Sequence, residues 1–164
     1  MHKINLQSSN IDRAIIMTIL IVAFAFVTVI FPFLLVNYIP HSLVGNYLLT
    51  NVNFIFFTTP ILFYFIYTGV YIYKIQIDPY VINITSYRTL TSIFHNSDYI
   101  DISHLMLQEY QFFNRPYTIN KTLMLKLKTD GGKIVAKRFT FSLLGKKEQN
   151  RISNVLNQII EHNS

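Results

Sequence analysis

Two long apolar runs dominate the first half of the chain. They lie inside a block of sixty residues, from position 14 to position 73, that contains no Asp, Glu, Lys or Arg. The runs cover residues 14–36 and 53–73, and each matches the roughly 20 residues that a helix needs to cross a hydrocarbon layer about 30 Å thick. The pattern therefore predicts a transmembrane hairpin, with a short polar connector at residues 37–52.

Beyond the second run, the apolar positions recur at every second residue, which is the period of a β-strand. Residues 75–85 predict a strand, a bend at Pro79 and a second strand. The alternation resumes over residues 99–107, with a shift that a β-bulge would explain, and another extended piece is predicted over residues 112–119. This half of the chain is therefore predicted to form an antiparallel β domain.

The last part of the chain predicts a hairpin followed by a helix. Three leucines share one face of a strand over residues 121–128, and a glycine-rich turn at residues 129–133 leads into a partner strand that ends near residue 142. From about residue 146 to 161 the spacing is that of an amphipathic helix. We expect its apolar stripe to dock on the sheet: Ile152, Val155, Leu156, Ile159 and Ile160.

Charge divides the chain at the same places. All 14 Lys and Arg and all 8 Asp and Glu lie outside the apolar block. Lys3 and Arg13 precede the first run and Lys74 follows the second, whereas the connector contains neither Lys nor Arg. Because short cytoplasmic loops are enriched in Lys and Arg, we predict that both termini and the β domain lie in the cytoplasm.

These patterns predict three parts in a multi-pass protein of the cytoplasmic membrane. Residues 1–13 form a cytoplasmic N-terminal segment, residues 14–73 form the helical hairpin, and residues 74–164 form a cytoplasmic α+β domain. The first apolar run is longer than the hydrophobic region of a signal peptide, which has about 7–15 residues. We therefore interpret it as a retained anchor.

The order of a two-helix hairpin, six or seven antiparallel strands and one amphipathic helix resembles bacterial membrane proteins with a PH-like domain. The likeness is carried by DYIDISHLMLQEY at residues 98–110, by the hairpin KTLMLKLKTDGGK, by residues 139–141 and by the helix KKEQNRISNVLNQII. It implies an antiparallel barrel or sandwich, capped by the C-terminal helix, that binds protein or lipid rather than catalysing a reaction. Phosphoinositide-binding PH domains use a basic cluster in the first hairpin, where residues 83–90 offer only Arg88.

Little in the sequence points to catalysis. Cysteine is absent, so neither a disulfide nor a thiolate site can form, and neither apolar run carries the charged residue of an ion path. Asp98 and Asp101 differ by three positions, which in a strand puts them on opposite faces. The five histidines are scattered along the chain, so we expect neither a metal site nor a histidine base: His2, His41, His95, His104 and His162. Together, these observations predict no enzyme, no catalytic residue and no cofactor.

The candidate surface is basic. Between positions 115 and 147, nine Lys and Arg accompany a single acidic residue, Asp130. Beside an anionic inner leaflet, each nearby positive charge contributes about 1 kcal/mol; the alternative interpretation is a set of ordinary solvated strand faces. No stacking motif accompanies these charges, so we do not expect nucleic acid as a partner. The candidate residues are Arg115, Lys121, Lys126, Lys128, Lys133, Lys137, Arg138, Lys146 and Lys147.

The function that the sequence favours is that of a membrane protein that holds a PH-like binding or scaffolding domain at the inner face of the membrane. Its expected contacts are the lipid bilayer, a protein partner of unknown identity and anionic lipid headgroups. Two other classes stay open. One is an immunity protein that protects the cell against a toxin in the membrane, and the other is a small accessory subunit of a larger transport or secretion complex.

Overall fold

The chain forms two units, one helical and one built mainly from strands. The computed structural model describes residues 5–39, 43–50, 53–90, 98–129 and 131–163. The helical unit comprises Ile15–Gly69, and the β unit combines the chain up to Ala14 with the chain from Val70 onward. The β unit is therefore assembled from both flanks of the helical unit.

The helical unit contains one long apolar helix, which starts in the last residues of the first flank. Helix α1 (Ile11–Ala25) continues through a π-helical turn (Phe26–Ile30) into α2 (Phe31–Tyr38). Pro32 is the second residue of α2, so the residue four positions before it lies in the π turn, whose wider backbone accommodates the proline ring. Of the described helices, this run of 28 residues is the one long and apolar enough to cross a membrane, which confirms the first predicted apolar helix.

Two shorter helices follow. Helix α3 (Leu43–Thr50) lies within the stretch predicted as a polar connector, and α4 (Asn53–Thr68) covers most of the second apolar run. Helix α4 ends because Gly69 has a φ of +66°, a left-handed conformation that glycine adopts without strain. The prediction that this helix extends to Tyr73 is therefore wrong, since the backbone is already extended from Tyr71 onward.

The β unit has two antiparallel sheets, and the first contains four strands. Its order is β1 (Leu6–Ser9), β2 (Tyr71–Ile77), β3 (Val81–Arg88) and β4 (Asp98–Ser103). Strand β1 precedes the helical unit and β2 follows it, yet the two pair antiparallel with Leu6 opposite Ile77. The segment predicted as a separate N-terminal tail thus contributes an edge strand that the sequence analysis did not foresee.

The second sheet has the order β5 (Leu107–Asn114), β6 (Asn120–Lys128) and β7 (Ile134–Ser142). The β6–β7 pairing runs without a break over both strands, which confirms the predicted hairpin. A register shift between Leu107 and Glu109 follows a 3-10 turn at His104–Met106. The turn and the shift together explain why the predicted alternation breaks near residue 107.

Both sheets and the C-terminal helix α5 (Lys146–Asn163) enclose one apolar core. The three leucines of β6 share one face, as predicted, and that face is turned to the core. Lys128, on the other face of the strand, is exposed. From α5, the side chains of Ile152, Leu156 and Ile159 are buried. The prediction of an α+β domain with antiparallel strands and a C-terminal amphipathic helix is confirmed.

The strand directions give the β unit two distinct ends. We call the first the connection end, because the chain passes to and from the helical unit there, between residues 14 and 15 and between residues 69 and 70. It also contains the β5–β6 turn and the β7–α5 turn. A hydrogen bond joins these two turns, because the N–H of Leu143 donates to the carbonyl of Ile119. The opposite, far end holds the β2–β3 turn, the 3-10 turn and the β6–β7 hairpin. The nine residues of β6 separate the two ends by about 27 Å.

Candidate functional site: the connection end of the β unit

Asn10 joins the two sheets at the connection end. Its buried side-chain amide donates to the carbonyl oxygens of Tyr71 at 2.9 Å and Ser142 at 2.8 Å, and its Oδ1 accepts a hydrogen bond from the Tyr73 N–H at 2.8 Å. Its own carbonyl accepts from the N–H of Ala14 in the first turn of α1. One residue therefore ties the start of the long helix to both sheets.

Ser142 continues this polar network between the sheets. Its hydroxyl accepts a hydrogen bond from the Tyr71 N–H at 2.7 Å and donates to the Asn120 side chain. A second link runs from the Ser86 hydroxyl of β3 to the Thr140 carbonyl of β7. Because buried polar groups are costly unless they are paired, these bonds favour a single arrangement of the two sheets.

An ion pair connects the start of α1 to the start of α5. Arg13 and Glu148 approach to 2.5 Å with both side chains partly exposed, so the pair contributes about 0–1 kcal/mol. The Tyr73 hydroxyl donates to the second Glu148 oxygen at 3.4 Å. Burial, assisted by the Glu148 charge, raises the pKa of Tyr73 to about 12. Tyr73 is therefore a hydrogen-bond donor near neutral pH and not a base.

The nine predicted basic residues do not form one continuous surface. Lys121 donates to Gln149 at 2.6 Å, and Lys126 pairs with Glu109 at 2.6 Å. Four of the nine lie at the connection end: Arg115, Lys121, Lys146 and Lys147. The other five lie at least about 14 Å from that end, measured along β6 and β7: Lys126, Lys128, Lys133, Lys137 and Arg138.

The two ends also differ in charge balance. We count each turn together with the three residues of the elements that flank it. Among the described residues, the connection end has six Lys or Arg and three Asp or Glu, a net charge of +3, and the far end has three Lys and three Asp or Glu, a net charge of zero. The cations of the connection end are Arg13, Arg88, Arg115, Lys121, Lys146 and Lys147.

Lys146 and Lys147 stand where a helix does not favour positive charge. Both are exposed in the first turn of α5. A cation near a helix N-terminus opposes the helix dipole, an effect of about 0.3–1 kcal/mol, whereas Glu148 in the same turn has the favourable sign. The stability of α5 therefore does not explain the two lysines.

Tyr117 stands out in the β5–β6 turn. It follows Pro116, is 94% exposed and has a φ of +58°. Proline followed by a residue of positive φ is typical of a type II turn, in which glycine or asparagine usually occupies the second of these positions. A left-handed backbone costs other residues about 1–2 kcal/mol. Pro116 is a turn signal in the sequence, but nothing in the sequence indicates this conformation for Tyr117.

The described histidines and the acidic residues of β4 form no site in the structure. His104 is partly buried in the 3-10 turn, and burial lowers the pKa of its imidazole. In the described part of the chain, no group of three or more His, Asp and Glu could hold a metal ion. Asp98 and Asp101 lie opposite Ser86 and Asn83 in the β3–β4 ladder, so they project from opposite faces of β4. Three of the five histidines lie outside the described residues: His2, His41 and His95.

The local geometry therefore offers two kinds of surface on the β unit. The far end combines partly buried His104 with balanced charges, and the connection end combines exposed cations with an exposed tyrosine. Comparison of the chain with protein-family models, with curated proteins and with solved structures finds no match.

Proposed function

We propose that the chain is a two-pass protein of the cytoplasmic membrane that presents its β unit as a non-enzymatic, PH-like binding or scaffolding module. The pairing of β1 with β2 carries this proposal. Two strands of one sheet lie on the same side of a membrane, so the chain between them crosses an even number of times. If the helix Ile11–Tyr38 crosses the bilayer, a return crossing is required.

The side chains of the helical unit support a location in lipid. Ile19, Phe33 and Phe57 are 61%, 65% and 77% exposed. In water, each Å² of such apolar surface costs about 25 cal/mol, and hydrocarbon removes that cost. We assign the return crossing to α4, whose 16 residues span about 24 Å. The bilayer accommodates the difference from about 30 Å by local thinning at a modest cost.

The order of elements supports the PH-like part of the proposal. Seven antiparallel strands in two sheets, followed by one amphipathic helix, agree with the arrangement that the sequence resemblance implies. Several charged side chains serve as structural partners, since Arg13 pairs with Glu148 and Lys126 pairs with Glu109. Analogy with the fold class favours a module that binds over one that catalyses.

Charge at the connection end supports the cytoplasmic orientation. Both chain connections leave from the end whose net charge is +3 among the described residues. Residues 37–52, which would reach the opposite side of the membrane, contain no Lys or Arg. This difference follows the bias of Lys and Arg towards cytoplasmic segments near the ends of transmembrane helices.

Single-cysteine variants test the topology directly, because the natural chain has no cysteine. Val44 in α3 and Ile134 in the β unit are both exposed and provide the matched sites. In right-side-out vesicles, an impermeant maleimide should label Val44→Cys and spare Ile134→Cys, and inverted vesicles should give the reverse. Labelling of both sites from one side would contradict two crossings, and release of the chain by alkaline carbonate would contradict insertion.

A further inference from the structure

We propose that the connection end of the β unit is a membrane-interface surface. In this arrangement Tyr117 enters the headgroup layer, and Arg115, Lys146 and Lys147 bind anionic lipid headgroups. The inference rests on the proposed function, because it requires the helical unit to lie in the bilayer. It goes further by naming the lipid contact and the residues that make it.

The chain segments that join this end to the apolar helices are short. Asn10 alone separates β1 from α1, and Gly69 and Val70 alone separate α4 from β2. Two residues reach at most about 7 Å. Once the helices are inserted, the connection end therefore has little freedom to leave the interface, whereas a long linker would have allowed the β unit to move away.

Distance decides which of the basic residues can take part. Electrostatic attraction to an anionic leaflet falls off within a screening length of about 8 Å at physiological ionic strength. Lys128 and Lys133 lie at the other end of β6, about 27 Å from the connection end, and are outside this range. The predicted basic surface is thus reduced to its members at the connection end, of which Arg115, Lys146 and Lys147 are exposed.

Two features that destabilise the β unit in water have a use at this interface. Lys146 and Lys147 oppose the dipole of α5, but their long side chains can extend along a membrane surface and place the ammonium groups among phosphates. Tyr117 adopts a strained backbone at the tip of its turn, but its ring combines an apolar body with a polar hydroxyl. Tyrosine is enriched at membrane interfaces for that reason.

The test uses the full chain reconstituted into vesicles of phosphatidylcholine alone or mixed with phosphatidylglycerol. An environment-sensitive fluorophore is placed on Asn114→Cys beside the β5–β6 turn, or on Ile134→Cys at the far end. Both positions are exposed, and both variants leave Tyr117 intact. We expect a quencher carried by the lipid to reach the label at position 114 in the mixed vesicles and to leave the label at position 134 largely unaffected.

Charge variants separate headgroup binding from simple tethering. Each basic side chain near an anionic surface shifts the equilibrium about fivefold. The triple variant R115Q/K146Q/K147Q should therefore weaken headgroup binding at the connection end roughly 100-fold and lower the quenching at position 114. The matched triple variant K128Q/K133Q/K137Q removes the same number of charges from distant positions and should leave the quenching unchanged.

A substitution in the β5–β6 turn isolates the contribution of Tyr117 to the contact with lipid. Asparagine adopts a positive φ more readily than tyrosine, so Tyr117→Asn should unfold no more easily than the natural chain. It should nevertheless lower the quenching of the label at position 114. A loss of quenching together with preserved folding supports an interfacial tyrosine, and unchanged quenching overturns that role.

Flotation with the vesicles and extraction with alkaline carbonate are measured first. A chain that fails to insert overturns the proposed function and this inference with it. An inserted chain whose labels at positions 114 and 134 are equally exposed to water overturns the inference alone. Equal quenching at position 114 in the two lipid compositions would likewise contradict the binding of anionic headgroups and leave the membrane anchor intact.

Discussion

Most of the described isoleucine side chains are buried in the β unit and exposed in the helical unit. In the β unit, Ile75, Ile77, Ile82 and Ile84 are fully buried, whereas Ile19 in the helical unit is mostly exposed. The side chain is the same, so the difference fits the proposed location of the helical unit in lipid. The β unit excludes water from an apolar core, and the helical unit presents its apolar residues outward, which is favourable in hydrocarbon.

The two units are nevertheless interdependent along the chain. Strand β1 is made before the helical unit and β2 after it, and Leu6 pairs with Ile77 across the intervening helices. Bringing such distant residues together from an unfolded chain carries an entropic cost that grows slowly with loop length. A hairpin already inserted in the membrane would hold both flanks close together and reduce that cost.

Truncation of a phenylalanine should separate the two units most clearly. Phe139 is fully buried in the core and Phe33 is exposed on the long helix. Phe139→Ala should lower the free energy of unfolding of the β unit by about 3–5 kcal/mol, and Phe33→Ala should change it little. Urea-dependent proteolysis of the reconstituted chain measures both. Equal losses for the two variants would contradict the division between a packed core and a lipid-facing surface.

The next effect concerns the distant edge strand. Leu6 is buried in the same core as β2 and β3, so Leu6→Ala should cost about 2–5 kcal/mol of β-unit stability. Gln7, the next residue of β1 and exposed, provides the control, since Gln7→Ala removes little buried apolar surface. The same proteolysis assay applies. A neutral Leu6→Ala variant would show that β1 is not required to complete the sheet.

A charge on the exposed face of the long helix tests the lipid environment. Leu20 lies well inside α1 with its side chain exposed, and Leu20→Lys should oppose insertion by about 2.5–3.5 kcal/mol if that position is near the bilayer centre. The control variant Tyr80→Lys introduces the same residue at an exposed position of the β unit. It should change the stability of that unit by no more than about 0.5 kcal/mol. The fraction of each variant that resists carbonate extraction is the measurement, and equal fractions would oppose a membrane location.

Loss of the Asn10 side chain should have a smaller effect, confined to the connection end of the β unit. Asn10→Ala leaves the buried Tyr73 N–H without its acceptor, which costs about 1–3 kcal/mol. Hydrogen exchange should accelerate at Tyr73 and at the start of β2 before it does so at the centre of β6. Uniform acceleration across both sheets would indicate that Asn10 does not act locally.

The smallest effect concerns pH. Burial lowers the pKa of His104 below its ordinary value of 6.5, so the unfolded chain takes up a proton at higher pH than the folded chain does. Stability is therefore complete above pH 6.5 and declines as the pH falls towards the lowered pKa. In the variant His104→Gln, the decline in stability that His104 causes below pH 6.5 should be absent. Measurements of unfolding at a series of pH values would detect this difference. An unchanged pH dependence would contradict the assignment.

Much of the β unit could be predicted from its sequence because the signals are local. Strand β6 alternates three buried leucines with Met124, Lys126 and Lys128, and α5 repeats its apolar residues at helical spacing. Strand β1 gives no such signal: its sequence LQSS contains one apolar residue, and its partner lies far along the chain. The end of α4 was misplaced because Tyr71–Tyr73 are as apolar as the helix itself, and only Gly69 marks the boundary.

The candidate site was harder to predict than the fold. Counting residues finds nine cations between positions 115 and 147, but strand direction decides which of them lie together. Because β6 and β7 run between the two ends, neighbours in sequence such as Arg115 and Lys121 lie near Lys146 and away from Lys128. No local pattern encodes the conformation of Tyr117, or the hydrogen bond from the Leu143 N–H to the Ile119 carbonyl that joins its turn to the β7–α5 turn.

A cross-link between β1 and β2 in the membrane-bound chain tests the central claim most directly. Gln7 and Gln76 are directly opposite in the ladder, where the Cα atoms of antiparallel neighbours lie about 4.5–5.5 Å apart, within reach of a disulfide. The control pairs Gln7→Cys with Asp101→Cys, three strands across the sheet and roughly 14 Å away. We expect the Gln7–Gln76 disulfide to form on oxidation of isolated membranes and to remain in the carbonate-resistant fraction, with no disulfide in the control. Its absence from that fraction, or a cross-linked chain released by carbonate, would contradict a β unit assembled across an inserted hairpin.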